Sequence, residues 1–286
     1  MASFVGTKVL SIGGSRNIGY HSSVRILAKG GTVTFLLHSP ACFDADDTIQ
    51  GYIRSGRARL IKGDALVRAD VVRAWAEAAK GDGAQSVDVL LFAAGGVPKF
   101  NLAKGFTISH PNLVTQSFLT TLSTVPTQTV PPKIIAISST GITKYSHASL
   151  PLLLKPLYDY LLAVPHLGKV GAEKVMAYCA GWPWDEEHAD VGVDIMGEGW
   201  DGMEGLPKGT LADIVVVRPA MLVDGACKVD AQAGAGKTGK GKEEYEMEDG
   251  DIGGYIVGRK DVAHFLVEDV LAEWGRWKGK CVSIAY

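Results

Sequence analysis

Val9-Leu10-Ser11-Ile12-Gly13-Gly14-Ser15-Arg16-Asn17-Ile18-Gly19 is an apolar strand that enters a glycine turn and leaves it as a helix. Gly13 and Gly14 open turn dihedrals closed to residues with a Cβ, and Gly19 lets the new helix lie close to the strand. The helix N-terminus then offers free backbone N–H groups and the positive end of a dipole, which together can seat a pyrophosphate. A G-x-G-x-x-G spacing counted from Gly13 would need glycine where Ser15 and Ile18 stand. The better match is G-x-x-x-G-x-G with Asn17 in the middle position, and Asn tolerates left-handed dihedrals better than other residues with a side chain.

Outward from this turn, short apolar runs alternate with helical spacing. Strands are predicted at 8–12, 32–37, 59–61, 87–92, 133–137, 214–217 and 281–285, with helices at 17–29, 66–80 and 112–124 between them. That alternation predicts an α/β fold, a Rossmann doubly wound parallel sheet with helices on both faces. The second half is less regular, because 150–165, 182–209 and 226–253 interrupt the alternation with Pro, Gly and charge. Ligands in open α/β sheets bind beyond the carboxyl ends of the strands, so these three insertions are the expected substrate region of one domain covering 1–286. The stretch 231–250 is rich in Gly, Lys and Glu and reads as a loop. Leu266 and Val270 have helical spacing and are expected to pack on the sheet.

Composition narrows the function classes. The chain has 286 residues, 47% of them hydrophobic, and a formal net charge of −2. Interspersed charge of this size argues against a nucleic-acid partner and for a small-molecule substrate. The apolar run 150–164 is broken by Pro151, Lys155, Pro156 and Asp159 and is too short to span a bilayer, so no membrane partner is expected. Cys42, Cys179, Cys227 and Cys281 are far apart and the histidines form no spaced ligand set, so no metal is expected. Scattered thiols and a start without a basic leader predict a cytoplasmic protein. Gly234-Ala235-Gly236-Lys237-Thr238 looks like the end of a phosphate loop, but Ala231 stands where its first glycine belongs and no apolar strand precedes it.

The strand ends carry the remaining candidates. The second strand ends in His38-Ser39-Pro40, without the Asp or Glu that grips an adenosine ribose 2′-OH, which favours NADP over NAD. Arg16 could pair with a 2′-phosphate through its planar fork, or simply be a solvated turn residue. Asp64, after the third strand, either accepts from an adenine amino group or caps the helix that follows. The fourth strand ends in Ala93-Ala94-Gly95, small enough for close approach of a ribose, and the fifth ends in Ser138-Ser139-Thr140-Gly141. Trp182, Trp184 and Trp200 are either pocket wall or packing.

In this order, Gly13-Gly14-Ser15-Arg16-Asn17-Ile18-Gly19, Gly63-Asp64, Ala93-Ala94-Gly95, Ser138-Ser139-Thr140-Gly141 and Val217-Arg218-Pro219-Ala220 resemble the short-chain dehydrogenase/reductase superfamily. The resemblance covers most of the chain. Arg218-Pro219-Ala220-Met221-Leu222 and Gly258-Arg259-Lys260-Asp261-Val262-Ala263 look like the extended and atypical members related to the NAD(P)H-binding, NmrA-like group. The resemblance implies a cofactor site at Gly13, Gly14, Ser15, Arg16, Asn17, Ile18, Gly19, His38, Ser39, Asp64, Ala93, Ala94, Gly95, Lys169, Arg218, Pro219 and Ala220. It also implies a homodimer through sheet-flanking helices.

In that superfamily a Tyr, a Lys four residues later and a Ser at the fifth strand carry the chemistry. The resemblance makes Ser139 the serine that polarises a substrate carbonyl and Lys169 the lysine, from Lys169-Val170-Gly171-Ala172-Glu173. Pro165 stands where the tyrosine is expected. If Pro165 opens the helix, His166 and Lys169 share one face, and His166 becomes either a substitute acid or a structural helix-start residue. Tyr158 and Tyr160 are the other acid candidates, and Glu173 is expected to pair with Lys169 or cap. The function implied is an NADP(H)-dependent oxidoreductase reducing a carbonyl or activated double bond of a small, mostly apolar metabolite. A non-catalytic, NmrA-like cofactor sensor, or an isomerase, epimerase or lyase on the same fold, are the alternatives.

Overall fold

The computed structural model describes residues 3–81, 83–96, 99–101, 105–107, 110–141, 155–185, 191–234, 245–250, 252 and 254–286, with side chains left out at 99–101, 105–107, 155–166 and 232–234. Within them the apolar runs form strands β1 (Lys8–Ile12), β2 (Thr32–Leu37), β3 (Ala58–Lys62), β4 (Val89–Phe92), β7 (Lys133–Ile137), β8 (Ile214–Pro219) and β12 (Cys281–Ala285). A short hairpin, β5 (Lys99–Asn101) and β6 (Gly105–Thr107), follows β4. The sheet order is β10-β12-β8-β7-β4-β1-β2-β3, and every pairing is parallel except that of β10 (Glu246–Asp249) with β12. The expected doubly wound α/β sheet is therefore present, with an antiparallel edge strand in addition.

Parallel strands buried on both faces need apolar residues at successive positions, and β1 shows why. Val9 joins the core beneath helices α1 (Asn17–Ala28) and α8 (Arg259–His264). Leu10, the next residue, joins the core under α3 (Arg68–Ala78), α4 (Leu113–Leu122) and α5 (Lys155–Ala180). Leu266 and Val270, in the π-helical turn after α8, are fully buried in the first of these cores. A small helix, α2 (Asp47–Arg54), which the apolar spacing leaves unmarked, starts where the Asp46 carboxylate accepts from Ile49 N at 2.9 Å.

Three expectations are corrected. Pro165 does not open α5: the helix starts at Lys155, and Pro156 takes the first-turn place where a missing N–H costs little. The helix runs on through Pro165, giving up the bond to the Leu161 carbonyl, a defect of about 3 kcal/mol in an isolated helix. Tight docking on α4 offsets it, since the Thr115 hydroxyl donates to Gly168 O at 2.8 Å and a Cβ on Gly168 would meet Pro111 O at 2.5 Å. The segment 150–165 is thus, from Lys155 on, the first part of a helix. The stretch 231–250 is not all loop, because α7 (Lys228–Gly234) runs into it and β10 closes it; the phosphate-loop look-alike lies largely outside the described residues.

The insertion at 182–209, apart from 186–190, which lies outside the described residues, follows the helical layer. Gln116 on α4 donates to Ile195 O and Met196 O at 2.8 and 2.9 Å, where α6 (Val193–Met196) closes a turn. Trp182, Trp184 and Trp200 pack against the α3–α5 core, Trp200 edge-on to Tyr178 at 5.1 Å, so packing accounts for all three.

Phe118 on α4 is fully buried and meets Phe92 edge-on at 4.6 Å between ring centres. Phe118→Ala is expected to destabilise the protein by about 3–5 kcal/mol, read as a lower urea midpoint at unchanged slope.

Candidate functional site

The carboxyl ends of the parallel strands bring the quoted residues to one edge of the sheet. Gly13 has φ +82°, and a Cβ there would collide with the backbone of Ala93 and Ala94 at the end of β4. A Cβ on Gly14 would strike Ser11 Oγ and Phe35, and one on Gly19 would stand 2.5 Å from Gly13 O. The turn, the helix and β4 are therefore in backbone contact, and only hydrogen fits between them. Asn17, at φ +54°, is the one non-glycine residue with positive φ among the described residues, in keeping with its place in the glycine spacing.

Helix α1 begins there without a side-chain cap: Arg16 is extended, at φ −161°, and makes no capping bond. Ser15, Arg16 and Asn17 are exposed while Ile18 and Gly19 are buried, so the first N–H groups of α1 open outward over a floor of small residues. A dinucleotide pyrophosphate fits such a cradle, because its oxygens would supply the missing acceptors and no side chain occupies the space. Ala93 and Ala94 are half-buried beside the turn, and Gly95 is exposed.

Next along the edge, His38 and Ser39 are exposed after β2, and His38 Nε2 stands 4.0 Å from Asp64 Oδ1. Asp64 does not cap α3, whose N-cap is Val67. Its carboxylate accepts from Leu66 N at 2.9 Å, a local turn, while the Asp70 carboxylate accepts from Asp64 N and holds the loop in place. That bond, the first cause, and Arg73 keep the Asp70 carboxyl below the usual carboxylate range.

On the other side of β4, Lys169 on α5 reaches the end of β7, where Nζ donates to Ser138 O at 3.0 Å. Ser138 is buried and its hydroxyl has no partner among the described residues, and Ser139 beside it is half-buried. Burial lowers the Lys169 amine to about 8 against a smaller opposing pull from the Glu173 carboxylate. Glu173, expected to pair with Lys169 or cap, instead receives both arms of Arg218 from β8, Nε to Oε1 at 3.0 Å and Nη2 to Oε2 at 2.5 Å. The Arg218 fork thus faces Glu173, with Pro219 and Ala220 buried behind it.

His166, Tyr158 and Tyr160 lie in α5, but their side chains are outside the described residues. At 1.5 Å per residue His166 is within one turn of Lys169, whereas Tyr158 is roughly 16 Å away along the axis and Tyr160 falls on the opposite side. Pro165 is one turn ahead of Lys169 and brings no hydroxyl.

Sequence patterns missed a second cluster near this edge. β9 (Met221–Val223) pairs parallel with β11 (Ile256–Gly258), and the Tyr286 hydroxyl receives Gly258 N and donates to the buried Asp261 carboxylate, both at 2.8 Å. The late Gly258-Arg259-Lys260-Asp261 motif thereby anchors the residues that follow β8. Its sequence signal is that motif, noted above for its resemblance; Tyr286 carries none. A cavity of 620 Å³ lies at the amino ends of the strands instead, among Asp88, Lys133 and Asp213, away from this edge.

No protein-family model matches the chain. The chain resembles the short chain dehydrogenase from Burkholderia cenocepacia J2315 in complex with NADP, at 19% identity with a TM-score of 0.56, over 96% of this chain and 94% of that one. The fold is shared with short-chain dehydrogenases. The blue fluorescent protein from a metagenomic library in complex with NADPH is similar as well, at 18% identity and a TM-score of 0.53, covering 96% and 94% of the two chains. In sequence, Reductase pytE from Aspergillus terreus is 27% identical over 158 residues, 54% of this chain and 48% of that protein. The match spans about half the length of that curated relative. Among the described residues no helix is long and apolar enough to cross a membrane, and no group of three His, Cys, Asp or Glu could hold a metal ion.

Gly13→Ala is expected to cost roughly 2 kcal/mol or more, through both the collision and the positive φ, whereas Asn17→Gly should change stability by less than about 1 kcal/mol. Thermal melts of the two variants check this. Lys169 also fixes a pH response. Between pH 8 and 10.5 the unfolded amine keeps a proton that the folded one has lost. Stability therefore rises with pH across that window, and wild type should gain about 3 kcal/mol relative to Lys169→Met, read by urea titrations at both ends.

Proposed function

We propose that this protein is an NADP(H)-dependent reductase of the short-chain dehydrogenase/reductase type, acting on a carbonyl or activated double bond of a small, mostly apolar metabolite. The observation that carries the reading is the uncapped α1 N-terminus over Gly13, Gly14 and Gly19, with Lys169 held at the end of β7 on the same sheet edge. NADPH is favoured over NADH because β2 ends in His38-Ser39-Pro40 without an acid, and the exposed Arg16 and His38 are available to a 2′-phosphate. Similar chains bound to NADP and to NADPH support the same choice. Arg218-Pro219-Ala220 and Gly258-Arg259-Lys260-Asp261 support placement among the extended, NmrA-like members.

On this reading 1–286 is one cytoplasmic domain with its substrate region at 150–165, 182–209 and 226–253. Its partner is a small molecule, without nucleic acid or membrane, and it forms a homodimer. The nicotinamide, when bound, supplies hydride. Ser139 donates a hydrogen bond to the substrate oxygen, Lys169 Nζ holds the cofactor ribose, and the backbone of Gly13 to Gly19 holds the pyrophosphate. With Pro165 in the tyrosine place, His166 supplies the proton from one helical turn away.

A second reading follows from the same proline: a cofactor sensor that binds NADPH without turnover. The test is calorimetric titration with NADPH and NADH together with NADPH oxidation over a broad carbonyl panel. Reduction of one panel member, and a tenfold or greater loss of both binding and turnover in Lys169→Ala, is the expected outcome. Tight binding with no oxidation on any carbonyl favours the sensor, and unchanged binding in Lys169→Ala removes this residue from the site.

A further inference from the structure

Glu173 is one of two acidic residues buried among the described residues, 3% exposed, and its cost in lost hydration is met by a two-armed ion pair. Its position is specific. One turn earlier on α5 stands Lys169, at the functional edge, and the partner Arg218 comes from β8, adjacent to the β7 strand whose end receives Lys169 Nζ. The pair therefore ties the helix that carries the amine to the strands that accept it.

We propose that the Arg218–Glu173 ion pair is a positioning device for Lys169, holding a fixed, ionised carboxylate one helical turn behind the amine so that Nζ keeps its proton at neutral pH. This inference rests on Lys169 being a working residue of the proposed site. The physical reasoning is a balance of burial against charge. Burial strips water from the ammonium and favours the neutral amine, and the carboxylate opposes that loss. The Arg218 fork satisfies both carboxylate oxygens and so fixes them in place one turn from the amine.

Among the described residues Asp249 on β10 adds a further charge near the pair, acting together with it on Cys281. Cys281, where β12 runs beside β8, feels both Glu173 and Arg218, and burial pushes its thiol up to about 12, so it stays neutral through the relevant range. From α4, Thr115 faces Gly168 and brings no charge.

The test reads the charge of Lys169 directly, on the full chain without cofactor, by the titration of its Nζ resonance in protein labelled with 15N-lysine and assigned with Lys169→Arg. Wild type, Glu173→Gln and the double variant Glu173→Gln/Arg218→Met are compared. Removing one carboxylate should lower the midpoint by about one unit, so that at pH 7 the protonated fraction falls from about nine-tenths to about one-half. The double variant replaces the pair with neutral groups of similar bulk and should recover melting temperature. Its Lys169 midpoint should lie above that of Glu173→Gln, by the repulsion the Arg218 cation no longer exerts, and still below wild type. An unchanged midpoint in Glu173→Gln overturns the proposal, as does a double variant whose midpoint returns to wild type together with its melting temperature, since the pair would then be only structural. Because the resonance is read without substrate, failure of the reductase reading shows separately, as absent NADPH binding and oxidation with the midpoint still responsive to Glu173.

Discussion

The turn after β1 and the end of β4 approach each other closely through their backbones. Gly13 lies against Ala93 and Ala94, and Gly19 lies against Gly13 itself, with space for hydrogen alone at either glycine. Everything at the sheet edge follows from that contact. Because the turn cannot be thicker, α1 starts at once, uncapped and close to the strand plane. Because α1 is so close, Ser22 and Ser23 can sit buried against the sheet, the latter sharing a hydrogen bond with Ser11 at 3.2 Å.

How much of this was legible depends on whether the signal is local. The parallel strands were, since a strand buried on both faces reads as a short, nearly continuous apolar run, and β-branched and aromatic residues mark Val33 to Leu37 as one. The left-handed turn at Asn17 was legible for the same reason, as the chemistry of one residue decides it. β10 was not: Glu246-Met247-Glu248-Asp249 looks like a solvated loop, and only the neighbouring β12 backbone makes it a strand. The start of α5 was also hidden. A proline reads as a helix start, but Pro165 sits in the interior because contacts with α4, distant in sequence, outweigh its local cost.

The site shows the same division. Gly13, Gly14 and Gly19 announce themselves by spacing, and Lys169 by the motif around it, and the structure brings them to one edge. The partner of Glu173 could not be read, because α5 and β8 meet only after folding; Lys169 four residues away looked like the natural choice. Buried charges choose partners by geometry, and a planar fork that meets both carboxylate oxygens wins over a nearer amine committed to the Ser138 carbonyl.

The antiparallel strand at the sheet margin has a consequence for how copies of this protein meet. A parallel sheet ending at β12 would present a row of unpaired N–H and C=O groups, a template for a neighbour's strand. β10 covers that row and turns Glu246, Glu248 and Asp249 outward. At the far margin β3 carries Arg59 and Lys62, the former tethered to Glu77 O and Lys80 O on the helical layer. Both ends of the sheet are thus guarded by charge, one acidic and one basic. Like charge thus disfavours pairing of either margin with the same margin of a second copy.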